Sequence, residues 1–176
     1  MEYVEKTVKA NYIYKGKILT LRCDDAVLPD GKPCQREFVE HGGGACVLYV
    51  KEGKVLLVRQ YRYAYSESIY EIPAGKLDKG EEPIKAAARE LEEETGLIAK
   101  ELKLLYVMYP SPGYTNEKIY IYQAISVREA IARPDEGEYL DAEYISLDKV
   151  KEMLVNGEIK DAKTIIALQA YFLNEK

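Results

Sequence analysis

The sequence predicts an α/β fold, an α/β/α sandwich in which a mixed β-sheet lies between helices. Strand-like segments precede and follow a helical segment at 82–94, and two further amphipathic helical segments, 147–155 and 160–174, end the chain. This order of strands, helix, strands and helices favours a mixed sheet that is covered by helices. The 176 residues, 47% of them hydrophobic, suffice for one domain with a substantial core.

The N-terminal third alternates strand-like stretches with turns. The turn signal PDGKP separates strand-like segments at 12–29 and 34–41, which predicts a β-hairpin. Residues 1–40 are too strand-rich for a tail and too short to fold alone, so we expect an N-terminal β-hairpin arm. The turn KEGK predicts a second hairpin from 45–50 onward. The glycine triplet 42–44 is interpreted as a hinge, because no Lys-Ser/Thr pair and no helix follow it as in a phosphate-binding loop.

Downstream elements follow from periodicity and turn residues. SIYEIPAGKL is a short strand that runs into a glycine turn, and the helix at 82–94 has Gly96 as its C-cap. LKLLYVMY and KIYIYQAIS are predicted strands, joined by a loop that contains SPGYTNE. RPDEGEYL is an acidic loop, and DAEYISL is a short strand before the last two helices.

The composition excludes some functional classes. The net charge of −5 argues against a nucleic-acid-binding protein that uses a basic surface. The single histidine, His41, excludes a multi-histidine metal site, and the three cysteines match no zinc or redox motif. No apolar run approaches the length of a membrane span, and the N-terminus lacks the apolar core of a signal peptide, so we expect a cytoplasmic protein without a membrane partner.

The segment from Gly75 to Leu97 carries the most specific signal. At roughly 100° per residue, Glu90, Glu93 and Glu94 fall on one side of its helix. The other side is apolar and is expected to pack: Ile84, Ala87, Ala88, Leu91. Each close carboxylate pair costs about 2–3 kcal/mol at an effective dielectric near 20. A hard divalent cation would offset this cost, whereas three glutamates taken alone are more typical of a solvated helix face.

The spacing favours the metal site. The segment fits the pattern G-x5-E-x7-R-E-U-x-E-E-x-G-U, where U is a bulky aliphatic residue, at every fixed position: Gly75, Glu81, Arg89, Glu90, Leu91, Glu93, Glu94, Gly96 and Leu97. This is the signature of the Nudix hydrolases, and the chain resembles that family over about residues 35–150. The resemblance implies a Nudix-type α/β/α sandwich and hydrolysis of a nucleoside diphosphate linked to another group. It also implies Mg²⁺ as cofactor, with Mn²⁺ or another divalent ion as an alternative.

The resemblance assigns roles to the residues of this motif. Glu90 and Glu94 are implied metal ligands, and Glu93 is a third or shared ligand. The backbone carbonyl of Ala74, just before the turn, is a further implied ligand. Arg89, which we place among the catalytic residues, is expected to brace the glutamates and the turn through charge-assisted hydrogen bonds.

The general base is expected in the acidic loop RPDEGEYL. In the subgroup of Nudix enzymes that this chain resembles, the base often lies in a mobile acidic loop well after the motif. Glu136 is the first choice for the base, and Glu138 is a base or an additional metal ligand. Glu93 is the alternative, because a glutamate of the motif does this work in some relatives. The plainer interpretation of the loop is a solvated acidic turn.

Features outside the motif resemble the ADP-ribose pyrophosphatases. Pro112 lies sixteen residues beyond Gly96, an offset that marks the ADP-ribose group. EIPAGKL leads into the motif, and Arg62 in the segment RQYRYAY matches an arginine that reaches substrate phosphate. A loop proline or a strand arginine taken singly needs no function, but together these features favour ADP-ribose as the substrate.

The same resemblance implies further substrate-binding residues. Ser111 and Glu117, in the loop around SPGYTNE, are candidates for contacts to the terminal ribose. Arg36 and Glu37 are implied near the adenine. An aromatic residue of the N-terminal hairpin is expected to stack on the base, but sixteen tyrosines leave its identity open.

We therefore expect a Mg²⁺-dependent pyrophosphohydrolase that cleaves ADP-ribose to AMP and ribose 5-phosphate. Two alternatives stay open: another nucleotide sugar or a dinucleotide as substrate, and a non-catalytic ADP-ribose sensor, although sensors usually lose motif glutamates. The expected organisation is a strand-rich arm at 1–40 and a Nudix hydrolase domain at 41–176. In relatives such an arm exchanges between two subunits and completes the partner's site, so we expect a homodimer with the arm in its interface.

Overall fold

Two β-sheets organise residues 3–132, 137 and 139–174, which the computed structural model describes. The strands of the described residues are β1 Lys6–Lys9, β2 Tyr12–Lys15, β3 Leu19–Val27, β4 Pro33–His41, β5 Gly44–Lys51, β6 Lys54–Arg62, β7 Glu67–Glu71, β8 Ala74–Lys76, β9 Leu97–Met108, β10 Ile119–Glu129 and β11 Leu140–Ser146. The helices are α1 Pro83–Thr95, α2 Leu147–Val155 and α3 Ala162–Asn174. No helix among these residues is long and apolar enough to cross a membrane.

The chain forms two compact units. The first comprises the chain up to Gly43 together with Tyr109–Lys118, and the second comprises Gly44–Met108 and the chain from Ile119 onward. The first unit therefore contains a loop that is distant in sequence, in addition to the arm expected at 1–40.

The first unit is built on a four-stranded antiparallel sheet. β1 and β2 pair with one edge of β3, and β4 pairs with the other along its whole length, so the predicted hairpin is confirmed. The loop 109–118 is attached to β4 by backbone hydrogen bonds. The Val39 N–H donates to the carbonyl of Tyr114 at 2.7 Å, and the Asn116 N–H donates to the Val39 carbonyl at 3.3 Å.

The second unit is a seven-stranded mixed sheet between helices. Its order is β11-β6-β5-β10-β9, with β7 added to β6 and β8 to β5. β10 runs parallel to β5, and the other pairs are antiparallel. Alternate residues of β5 face opposite sides: Cys46 and Leu48 pack in the cluster of α2 and α3, and Ala45 and Val47 in the cluster of α1. The predicted α/β/α sandwich is confirmed.

The buried face of α1 differs from the sequence prediction. Ile84, which was expected to pack, is 43% exposed, and the buried residues of the helix are Ala86, Ala87, Glu90, Leu91 and Glu94. At about 100° per residue these five positions occupy one arc of about 140°. Two glutamates therefore lie within the packed face, because the helix turns them toward the strand β8 instead of toward solvent.

Candidate active site

Two buried carboxylates of α1 face the turn that precedes the helix. Glu90 is 8% exposed and Glu94 is 3% exposed. Glu94 Oε2 accepts a hydrogen bond from the backbone N–H of Ala74 at 3.0 Å. The Glu90 carboxylate lies so close to Gly75 that a Cβ there would be 2.0 Å from Glu90 Cδ. The glycine thus lets the carboxylate approach the backbone of β8, which β5 holds in register through the pair Cys46↔Ala74.

Arg89 braces this cluster with all three guanidinium nitrogens. Its Nε and Nη2 donate to Glu81 at 3.1 and 3.0 Å, and Nη1 donates to Glu90 at 2.7 Å and to Glu93 at 2.9 Å. Nη2 also donates to the carbonyl of Lys76 at 3.1 Å. The hydrogen bond to Glu81 is the main cause that raises the pKa of Arg89, and the same bond lowers the pKa of Glu81. The arginine therefore ties the turn to the helix.

The donor set of this site fits a hard divalent cation. Glu90 and Glu94 offer carboxylate oxygens beside the backbone of Ala74, whose carbonyl is a further predicted donor. Within the described residues no group of three or more acidic, histidine or cysteine side chains surrounds one point. Glu93, the other predicted ligand of the motif, is held by Arg89. The predicted base Glu136 and the predicted ligand Glu138 lie outside the described residues.

Arg62, the last residue of β6, belongs to an ion-pair network that the sequence analysis did not predict. Its Nε and Nη2 donate to the two oxygens of Glu71 at 2.5 and 2.8 Å. Glu71 is buried, and Lys163 of α3 contacts its Oε2. The hydrogen bond to Glu71 is the main cause that raises the pKa of Arg62, and the charge of Glu94 contributes to the rise. Glu71 belongs to the EIPAGKL segment, whereas no sequence signal pointed to Lys163.

The first unit contains a cleft of about 290 Å³ that includes two predicted substrate residues. Arg36 and Glu37 of β4 line it together with loop residues 112–115. Arg36 donates from Nε and Nη2 to both oxygens of Glu5 at 2.7 and 2.6 Å. The other lining residues, none of which was named from the sequence, are Glu5, Thr7, Arg22, Asp24, Ala26 and Phe38.

Ser111 and Glu117 lie on either side of the lining segment of that loop. The Ser111 carbonyl accepts hydrogen bonds from the backbone N–H groups of Tyr114 and Thr115 at 3.3 and 3.2 Å. Glu117 Oε1 lies 3.3 Å from His41 Nδ1. Arg36 and Glu37 thus lie in the wall of the cleft. Ser111 and Glu117 are not among its lining residues and contact other residues of the first unit.

Comparisons with known proteins agree with this architecture. A model of the NUDIX domain matches residues 40–168, and a model of the nucleoside diphosphate sugar hydrolase N-terminal domain matches residues 5–39. The chain is 42% identical to the ADP-ribose pyrophosphatase of Bacillus subtilis (strain 168), over 97% of this chain and 94% of the relative. It is 41% identical to the methanol dehydrogenase activator of Bacillus methanolicus, over 98% of this chain and 95% of the relative.

One solved structure shows the same fold across the chain. The crystal structure of an ADP compounds hydrolase superposes with a TM-score of 0.84 and covers 96% of this chain and 92% of its own. At 21% identity this likeness concerns the fold alone. The NUDIX domain match spans most of the sequence, and the motif glutamates stand on the helix that the fold requires. This protein therefore belongs to the NUDIX family and is a hydrolase of that family, which works with a divalent metal ion.

Proposed function

We propose that the enzyme is a Mg²⁺-dependent pyrophosphohydrolase that cleaves ADP-ribose to AMP and ribose 5-phosphate. The observation that carries the proposal is the buried pair Glu90 and Glu94, packed against the backbone of Ala74 and Gly75. Buried carboxylates are stable when they are paired or hold a metal. The 42% identity to a protein named ADP-ribose pyrophosphatase supports the choice of substrate.

The side chains divide the work of the reaction. Glu90, Glu94 and the Ala74 carbonyl would hold Mg²⁺, which neutralises phosphate charge and makes a bound water more acidic. Arg62 would bind a phosphate oxygen of the diphosphate through Nη1, which donates no hydrogen bond within the described part of the chain. Among the residues that the structure describes, Glu93 is the candidate to accept the proton of the attacking water. Arg89 holds Glu93 in place through a hydrogen bond. This division matches phosphoryl transfer, in which positioning and charge neutralisation dominate.

The cleft of the first unit is our candidate for adenosine recognition. Arg36 and Glu37 offer a guanidinium and a carboxylate, whose donors and acceptors suit the edge of an adenine. Arg36 would exchange its contact with Glu5 for the ligand. Ser111 and Glu117 remain the proposed contacts to the terminal ribose. We also propose a homodimer with the arm in its interface, because exposed apolar side chains line the arm: Val4, Val8, Tyr12, Ile13 and Tyr14.

A substrate panel tests the proposal. Purified enzyme with Mg²⁺ is given ADP-ribose, GDP-mannose, a dinucleoside polyphosphate and NADH, and the products are separated. We expect AMP and ribose 5-phosphate from ADP-ribose, with kcat/KM at least about tenfold above every other compound, a difference of about 1.4 kcal/mol in transition-state binding. A higher kcat/KM for another compound would assign that nucleotide sugar or dinucleotide instead. Tight ADP-ribose binding without turnover in any divalent ion would indicate a sensor.

The metal assignment is tested by Glu94→Gln. We expect kcat to fall by about 10²–10³-fold, the scale seen when one electrostatic stabiliser is removed from an active site. Glu92→Gln is the matched control, because Glu92 is an exposed residue of the same helix and should leave kcat unchanged. Thermal unfolding of both variants checks that α1 stays folded. Near-normal turnover of Glu94→Gln contradicts the metal site.

A further inference from the structure

A four-residue ion cluster around the buried Glu71 connects α3 to the end of β7. It consists of Arg62, Glu71, Lys163 and Asp161, and its four charges sum to zero. Arg62 uses Nε and Nη2 for the two oxygens of Glu71, and Lys163 reaches one of the same oxygens from the opposite helix. Lys163 also donates to Asp161 at 3.0 Å. The side chain of Lys163 is only 11% exposed and that of Glu71 2% exposed, so water screens these contacts poorly.

The helix that carries Lys163 is fixed to the chain next to Glu71. Asp161 Oδ2 accepts the backbone N–H of Thr164 at 3.0 Å, which caps the first turn of α3. Thr164 Oγ1 donates to Asp161 and accepts the backbone N–H of Ile72 at 2.8 Å. These bonds fix the first turn of α3 beside Ile72, and the Lys163 ammonium contacts the adjacent Glu71.

The charges of the cluster keep one another ionised. Burial lowers the pKa of Lys163, but the carboxylates of Asp161 and Glu71 outweigh burial and leave that pKa raised. Burial raises the pKa of Glu71, and Arg62 and Lys163 reverse this, so the pKa of Glu71 is lowered. Removal of Lys163 would leave the other three members, Arg62 included, with a net charge of −1.

Arg62 is the only member of the cluster that we propose to touch substrate, and its side chain is 40% exposed. Two of its nitrogens are committed to Glu71, so the direction of Nη1 is set by that carboxylate. We propose that Lys163 is a positioning residue: it balances Glu71 so that Arg62 keeps both its orientation and its net attraction for a diphosphate. This inference rests on the proposed function of Arg62 and extends it to a residue 101 positions further along the chain.

The test is a double-mutant cycle of Lys163→Met and Arg62→Met. KM and kcat are measured with ADP-ribose, and Kd is measured with inorganic pyrophosphate in the presence of Mg²⁺. We expect Lys163→Met to raise KM and Kd by about tenfold, the order expected for loss of one nearby unit charge at an effective dielectric near 20, with less than about threefold change in kcat. In the Arg62→Met background the same change should have a clearly smaller effect on both constants, because only the direct attraction of the lost charge for the diphosphate remains there.

Matched variants separate positioning from general stability. Lys160→Met removes an exposed ion pair with Glu67 and should leave KM and Kd unchanged. Lys163→Arg keeps the charge and should stay within about twofold of wild type. Asp161→Asn retains a helix cap but leaves the cluster with a net positive charge, so Kd for pyrophosphate should fall by about two- to threefold. This variant decides the question by itself if Lys163→Met does not fold.

The outcomes are distinguishable. Equal effects of Lys163→Met in both Arg62 backgrounds, or weaker pyrophosphate binding by Asp161→Asn, overturn the inference. If wild-type enzyme does not hydrolyse ADP-ribose, the proposed substrate is wrong, and the pyrophosphate cycle still decides the role of Lys163. If wild-type enzyme binds no pyrophosphate either, Arg62 does not serve a diphosphate and the inference fails with it.

Discussion

Two arginines of the second unit form ion pairs with carboxylates, and they differ in how many of their guanidinium nitrogens donate to protein oxygens. Arg89 uses all three guanidinium nitrogens for protein oxygens. Arg62 uses two nitrogens for Glu71, and its side chain remains 40% exposed. A saturated guanidinium can only hold its own neighbours, whereas an unsaturated one can also bind an anion. The comparison therefore supports our proposals that Arg89 braces the carboxylates and that Arg62 binds phosphate.

The two networks also differ in how far apart their members lie in sequence. The partners of Arg89 all lie within a stretch of eighteen residues, from Lys76 to Glu93. Glu71 and Lys163 are separated by 92 residues and meet only because α3 packs against the sheet. The first network forms with the helix, and the second needs the complete fold.

Arg89→Lys provides the strongest test of the contrast. A lysine cannot reproduce the planar fork that binds Glu81 and Glu90 together. We expect kcat to fall by about 10–100-fold and Mg²⁺ affinity to weaken by a similar factor, as for other supports of metal ligands. KM for ADP-ribose should change little. Initial rates at varied Mg²⁺ and varied ADP-ribose give all three values.

The control for Arg89→Lys is Lys85→Met on the same helix. Lys85 forms an exposed pair with Glu82 at 2.9 Å, so its removal should leave kcat and Mg²⁺ affinity unchanged. An Arg89→Lys variant that raises KM and spares kcat would show that Arg89 binds substrate, and the contrast with Arg62 would be lost.

The local network was predictable from the sequence because helix geometry fixes its spacing. Arg89, Glu90, Glu93 and Glu94 are separated by one to five positions, and the helix places them within reach of one another. The sequence was wrong about the packed face of the same helix, where apolar counting selected Ile84. Glycine at position 75 leaves the space into which Glu90 is buried, and no apolar periodicity signals such a burial.

The remaining parts of the site depend on contacts that sequence periodicity does not encode. The cleft of the first unit joins β4 to a loop more than seventy residues later, through Val39 and Tyr114. The sequence placed Glu71 in the strand and in the segment EIPAGKL but did not reveal its ion pairs, because its partner Lys163 is too distant for any spacing rule. The mixed sheet itself was predictable, since its strands and helices are marked by turns and periodicity along the chain.

Arg62→Lys tests the other half of the contrast with a smaller effect. The variant keeps the positive charge but cannot bind both Glu71 oxygens and a phosphate at once. We expect KM to rise by about tenfold, consistent with loss of one charge-assisted hydrogen bond of about 1.5 kcal/mol, and kcat to change less. Arg59→Lys is the matched control, because Arg59 is an exposed arginine of the same strand. A fall in kcat at unchanged KM would contradict the phosphate role.

The smallest expected effect is on stability, and it depends on pH through Glu71. Its pKa is lowered from the ordinary value of 4.5: burial raises it, and the hydrogen bonds and charges of Arg62 and Lys163 more than reverse the rise. A carboxylate whose pKa is lowered in the folded state makes its full contribution to folding stability when the pH is above its pKa in the unfolded state. That stabilisation is lost as the pH falls below 4.5 and through the lower folded value.

Urea unfolding of wild type and Glu71→Gln at several pH values between about 7 and 3 measures this dependence. A protonated Glu71 resembles glutamine, so the difference in unfolding free energy between the two proteins should be largest near neutral pH and should shrink as the pH drops below 4.5. Glu67→Gln, which loses only the exposed pair with Lys160, should differ little from wild type at any pH. A difference for Glu71→Gln that stays constant down to pH 3 would mean that the buried cluster does not hold Glu71 as a carboxylate, and Arg62 would then lack the anion that orients it.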